Sequence, residues 1–381
     1  MPRAEAVSRA KEIAQRVLAP HAQRWDREGA WPVEGVRALQ EAGLAGLVVS
    51  KEHGGLGLGL GGLLEVCEAL GHADASTALC FGMHCVASAC IAAKATPDQA
   101  ERYLGPICRG EHWTTLALSE PGTGSHFYLP QTSMREVGGA YRLHGEKCFV
   151  TSGGHADSYV VSTVASDATL GHFSLVLVSA GSVSDAWGPE WSGWGMRGNS
   201  SRALALRDVP VPTEDRLGAE GDQIWYAFQI VAPYFLIAMA GTYLGVASRA
   251  VEEARAHLTR RTHSHTGESL AHTDVLQHRI GTVWSNLQRA RHLARWAADH
   301  ADADGADALP ALCAAKAEVA TSAVTIVNEC MTLVGGIGYR DDAVLPRLLR
   351  DARAAHVMSP TTDLLYTWAG RALLDLPILG R

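Results

Sequence analysis

The chain has 381 residues, 47% hydrophobic and 19% charged, an ordinary globular composition with enough length for two or three cores. A formal net charge of −7 argues against nucleic acid as the main partner, because phosphate binding needs a basic face. The N-terminal stretch MPRAEAVSRAKEIAQRVLAP is amphipathic without a continuous apolar core, and no apolar run approaches the roughly 18 residues that span a membrane. A cytoplasmic protein without membrane contact is expected. The cysteines (Cys67, Cys80, Cys85, Cys90, Cys108, Cys148, Cys313 and Cys330) form no CxxC pair and are expected to be buried, reduced thiols.

Residues 1–115 read as helical: VEGVRALQEAGL, GGLLEVCEALG and PDQAERYLGPICRG repeat apolar residues at spacings of three and four, with Asp98 a start signal for the last. Within residues 116–214 the runs become short, β-branched and partly alternating (AYRLHG, KCFVTSGG, DSYVVSTVAS, FSLVLVS, RALALRDVPVP), which predicts antiparallel strands joined by turns. Over residues 215–381 the helical period returns in segments long enough for a bundle. The predicted class is α+β, in the order helical, β, helical.

The stretch GGLGLGLGG (54–62) contains a formal GxGxxG at Gly57, Gly59 and Gly62. No alternating βαβ series surrounds it, so a glycine-rich loop between helices is expected rather than a dinucleotide fold. His263, His265, His272 and His278 fit no standard zinc spacing, and no metal is expected.

LALSEPGTGSH, YRLHGEKCFVTSGGHAD, GWGMRGNSSRALALRDVPVP, VGGIGY and RLLRDAR occur in this order at natural spacings. Together they resemble the acyl-CoA dehydrogenase family of flavoproteins over essentially the whole chain. The resemblance implies an N-terminal helical domain, a middle antiparallel β-barrel and a C-terminal four-helix bundle, with FAD between the last two. Carried over residue by residue, it implies flavin contacts at Leu116, Leu118, Ser119, Gly124, Ser125, Phe149, Val150 and Thr151, with Phe149 where Trp is common. It further implies that Arg261, His263, Leu333, Gly335 and Gly336 complete the FAD of a neighbouring subunit, so a homodimer or homotetramer is expected. Ser264, His265 and Thr332 depart from the family pattern there. Thr361 and Asp363 are further FAD contacts, and Ser125, Arg197 and Ser359 are the expected substrate contacts. Trp191 and Trp194 stay open between the substrate mouth and core packing.

The resemblance fails at one position. The family's catalytic Glu, the base that removes the α-proton of an acyl thioester, aligns with Ser359, followed by Pro360. The alternative seat used by some members aligns with Phe235, and the Arg after it with Leu236. A positioned base contributes about 10²–10⁴ in rate, which a serine hydroxyl without a partner does not supply. The local reading of SPTTD is a helix start, with Ser359 as N-cap, Pro360 in the first turn and Asp363 at the positive end of the dipole. Asp363, His356 and His126 are the candidates for a relocated acid or base, and Glu120 is read as structural. Three functions remain open. One is an FAD-dependent oxidoreductase acting on a CoA- or carrier-bound acyl group or an unusual substrate, in specialised metabolism. The others are a flavin-dependent monooxygenase and an FAD-binding protein without redox turnover.

Overall fold

In the computed structural model, which describes residues 1–166 and 173–379, the N-terminal domain is built from five helices. Helix α1 comprises Arg3–Ile13, a π-helical turn Ala14–Leu18 and Ala19–Glu28; α2 is Val33–Glu41, α3 Gly59–Gly71 and α4 Ala75–Ala93. Helix α5 runs through Pro97–Gln99, Ala100–Leu104 and Gly105–Arg109. Its start is set one position earlier than Asp98 suggests: Thr96 accepts from the Gln99 N–H and the Gln99 side chain accepts from the Thr96 N–H. The glycine-rich stretch is loop only as far as Leu58. Beyond it the chain enters α3, whose first orphan donors, the N–H groups of Leu60 and Gly61, both donate to Asp302 at 2.8 Å.

Seven strands follow: β1 Thr114–Ala117, β2 Ser133–Val137, β3 Ala140–Val150, β4 Ser158–Val164, β5 Phe173–Ser179, β6 Arg202–Pro212 and β7 Arg216–Leu217. They form two sheets, in the orders β1-β4-β5-β7 and β2-β3-β6. The pairing is antiparallel except for β1 with β4, which is parallel from Thr114↔Ser158 to Ala117↔Val161. The β2–β3 hairpin lies between these two strands in sequence and supplies the long connection that a parallel pair requires.

His84 joins the helical domain to this layer. Its ring stacks on Trp113 at 4.0 Å, accepts from the Thr114 N–H at Nδ1 and bonds the Ala45 carbonyl through Nε2. Burial pulls it down to about 4, so it is a neutral imidazole donating from Nε2.

The C-terminal domain holds α6 (Gln223–Arg260), α7 (Asp274–Asp302), α8 (Ala308–Val334), α9 (Val344–Val357) and α10 (Thr362–Leu373). Helix α6 packs against α8 on one side and α3 on the other. On the α3 side small residues bring the backbones together: a Cβ at Gly245 would lie 2.4 Å from the Glu68 carbonyl oxygen, and one at Gly241 2.4 Å from that of Leu64. The expectation that no segment has membrane-spanning length and apolarity is corrected. Helices α4, α6 and the segment Ala308–Ile337 meet both criteria, with 94%, 83% and 67% of their apolar windows buried inside the protein. Their apolarity serves helix packing on nearly all sides.

Candidate active site

The β layer, α4, α6 and the turn after α9 enclose a cleft of about 550 Å³ that continues into a narrower compartment of about 60 Å³. Met83, Ser119, Phe149, Phe235 and Ser359 line both parts. Gly124, Ser125 and Thr151 face the wider part; Leu116 and Leu118 face the narrower one.

Phe149 reaches the cleft because β3 bulges. Lys147 pairs with Leu204 and Val150 with Arg202, so Cys148 and Phe149 together oppose a single residue. Such bulges re-aim side chains. Phe149 adopts φ 53°, a left-handed conformation uncommon outside glycine, and stands 66% exposed. Around this aromatic surface several donors have no protein partner among the described residues: the hydroxyls of Ser119, Ser125 and Thr151, and the N–H groups of Gly124 and Ser125. A flat apolar platform ringed by unpaired donors suits a heteroaromatic ring with polar edges. Val150, expected beside Phe149 as a flavin contact, is fully buried on the other side of the strand and lines neither compartment.

Glu120 is the one carboxylate lining the cleft among the described residues, and it is fully committed. Its oxygens accept from the Gln131 N–H (2.7 Å), the Thr132 N–H (3.1 Å) and hydroxyl (2.7 Å) and the Lys147 ammonium (2.5 Å). Burial raises its pKa, but the Lys147 charge and these donors outweigh it and hold the acid below the usual range. Lys147, fully buried, also donates to the Ser162 carbonyl at 2.6 Å, and burial draws it down to about 8.

Ser359 and Phe235, the two positions where a base is expected, converge on this cleft, and neither can act as one. Ser359 is not the helix cap. Thr361 holds the extended N-cap conformation (φ −68°, ψ 160°) and accepts from the Leu364 N–H, while the Ser359 hydroxyl donates to the Ser125 carbonyl at 3.2 Å. Leu236, beside Phe235, is fully buried.

Residues 4–111, 115–209 and 236–374 match the N-terminal, middle and C-terminal domains of acyl-CoA dehydrogenase. The chain belongs to the acyl-CoA dehydrogenase family. Among its relatives is the mitochondrial isobutyryl-CoA dehydrogenase of Bos taurus, 28% identical over 373 residues, covering 95% of this chain and 86% of that one. Two solved structures share the fold. The FAD complex of PigA has a TM-score of 0.88 at 20% identity, covering 98% of this chain and 97% of that one. The prolyl acyl carrier protein oxidase AnaB has a TM-score of 0.85 at 22% identity, covering 97% and 98%. The protein is thus an oxidoreductase of this family with FAD as its cofactor, and the platform and unpaired donors of the cleft fit a flavin ring.

For a member of this family the relocated base has no visible seat. Asp363 is exposed in the first turn of α10, and His126 is exposed with its ring 5.7 Å from Tyr128. His356 bonds the backbone at Ala320 on α8, and burial together with Arg353 and Lys316 lowers its pKa. None of the three lines either compartment. On α9 and the turn after it the cleft side is Ala354, Val357 and Met358, which leaves His356 on the α8 side.

Arg197 also misses the cleft, because a tight turn over Arg197–Asn199 carries Met196 and Asn199 there instead. Asn199, 3% exposed, uses its side-chain carbonyl for the Ser201 N–H, and its amide NH₂ has no protein partner among the described residues. The loop is strapped to α9: Asp351 accepts from the Met196 N–H at 2.6 Å, and Arg350 donates to the Trp194 carbonyl and pairs with Asp26. Burial pushes Asp351 up to about 7. Trp191 lines the cleft, whereas Trp194 does not and is 64% exposed. Cys148, expected as a buried thiol, is half-exposed on the cleft wall because the bulge turns it out.

Arg261, His263, Gly335 and Gly336 are exposed and outside the cleft, as is half-buried Thr361; Leu333 is buried in the bundle and presents no side chain outward. Arg261 and His263 stand on a small hairpin closed by His263 N–H to Glu268 O and Leu270 N–H to Arg261 O. Gly335 ends α8 at φ 71°, ψ −152°, a backbone state that only glycine adopts readily.

Proposed function

We propose that the flavin ring of FAD lies on Phe149 in this cleft, and that the enzyme oxidises or reduces an acyl group carried as a thioester on CoA or a carrier protein, with no side-chain carboxylate taking the α-proton. The observation that carries this reading is the convergence of Ser359 and Phe235 on one cleft whose lining carboxylate, Glu120, is already consumed by Lys147 and Thr132. Support for a thioester comes from the relatives, one named for a CoA substrate and one for an acyl carrier protein.

Bound FAD supplies the two-electron acceptor or donor. The residues of the chain orient and enclose. Ser119, Ser125 and Thr151 with the Gly124 and Ser125 N–H groups hold the ring edge, and Asn199 offers a buried NH₂ to a ligand carbonyl. Leu79, Met83, Met196 and Phe235 form an apolar wall that takes the acyl chain and excludes water. A proton leaving the substrate passes to water or is made acidic by the substrate's own substituents. We assign Arg261, His263, Gly335 and Gly336 to the FAD of a neighbouring subunit in a dimer or tetramer.

The test is anaerobic mixing of the FAD-loaded protein with isobutyryl-CoA and with the matching pantetheine thioester, following flavin bleaching. Slow reduction is expected, and Ser359→Glu, which returns a carboxylate to the cleft, should accelerate it by about 10²-fold or more. Fast reduction by the natural sequence with no gain from Ser359→Glu would sink the baseless reading. The same sample should sediment as a dimer or larger; a monomer with one FAD per chain contradicts the shared site.

A further inference from the structure

Lys316 is fully buried on α8, and no carboxylate lies within ion-pair distance of it among the described residues. Its ammonium donates to three main-chain carbonyls: Ala355 at 2.8 Å, Pro360 at 3.1 Å and Met358 at 3.5 Å. An ammonium has three hydrogens, so the count is complete. Ala355 lies in the last turn of α9, where carbonyls have no intrahelical partner and carry the negative end of the helix dipole. Met358 and Pro360 lie in the turn that leaves the helix, and Met358, Ser359 and Pro360 are themselves cleft wall.

A buried charge is costly unless its bonds are met, and here every bond is directed at one short stretch of backbone. The far side of that stretch is tied by the Ser359 hydroxyl to the Ser125 carbonyl of the β layer. The turn is therefore gripped from behind by Lys316 and in front by the loop that borders the cleft.

We propose that Lys316 is a positioning residue: it fixes the height and orientation of the Met358–Pro360 turn against the ligand in the cleft while touching no reacting atom. The proposal rests on the cleft being the reaction site. It differs from a general packing role in predicting a local effect, confined to the turn and visible in the flavin.

The experiment is peptide-resolved hydrogen–deuterium exchange on the FAD-loaded protein, read together with its visible flavin spectrum. Lys316→Met should raise exchange across residues 355–361 at least tenfold and displace the flavin band. Lys316→Arg, which keeps charge and donors, should hold exchange within threefold of the natural protein. Ile326→Ala, buried further along the same helix, is the control: it should lower the melting temperature and leave both readouts unchanged. Unchanged exchange in Lys316→Met, an equal rise in Ile326→Ala, or Lys316→Arg behaving like Lys316→Met each overturns the proposal. If Lys316→Met does not accumulate, Lys316→Gln is read in the same way, and natural exchange in that variant likewise overturns it. No readout depends on turnover of a thioester, so failure of the proposed reaction and failure of this proposal are separable.

Discussion

The two walls of the cleft each bury a lysine completely, and they satisfy it differently. In the β wall Lys147 faces a carboxylate, Glu120, and the pair is closed by Thr132, Gln131 and Ser162. In the helical wall Lys316 faces only peptide carbonyls at the end of a helix. The first arrangement joins side chains of separate strands and locks a sheet edge. The second leaves side chains out and fixes the path of the backbone. A wall that supplies a flat platform needs the former; a wall whose contribution is one turn of main chain needs the latter. At the joint with the helical domain, His84 is a third case, a buried base kept neutral.

The comparison is broken most severely by Lys147→Met. It strands the Glu120 charge in the interior, and a loss of about 3–5 kcal/mol is expected in urea unfolding. Replacing both partners, Lys147→Met with Glu120→Leu, should recover more than half of it. Next is the pH dependence of the joint. The unfolded chain protonates His84 near 6.5 and the folded protein near 4, so its contribution is complete above the former value. That contribution drains away as pH falls through the interval, by up to roughly 3 kcal/mol. Unfolding free energies measured between pH 7 and 4 should show this slope, and His84→Gln should remove it. Smallest is Ser359→Ala, which deletes one partly exposed hydrogen bond and should cost about 0.5–1 kcal/mol. That shift is readable as a slightly lower denaturation midpoint.

How much of this was written in the sequence depends on how local each signal is. Ser119, Gly124, Ser125, Phe149 and Thr151 lie in two short segments whose composition already marks them, and the chain places them together in the cleft. The bare positions at Ser359 and Phe235 were visible as departures from a pattern, and both face the cleft. Lys316, Met196 and Asn199 escaped because nothing near them in sequence advertises their partners; they acquire a role only when α8 meets the turn after α9, or when a loop doubles back on itself. The N-cap went to Thr361 rather than Ser359 because capping follows backbone angles, which residue type alone does not determine. The parallel pairing of β1 was likewise hidden: four residues buried throughout show no alternation from which a direction could be read. Residues 54–62 were read as loop through their last glycine because Asp302, the acceptor that starts α3 at Gly59, is remote in sequence.

The glycine seam between α3 and α6 bears on how a ligand gets in. With carbonyl oxygens of one helix 2.4 Å from where a Cβ of the other would stand, neither helix can roll or slide without collision. The helical domain and the bundle therefore offer no hinge, and the cleft does not open like a jaw. Traffic must be admitted by the thinner pieces around its rim: the bulged strand at Phe149, the strapped loop at Trp191–Asn199 and the turn held by Lys316. Selectivity for the size of the incoming group then resides in how far these three give way, against a frame that does not.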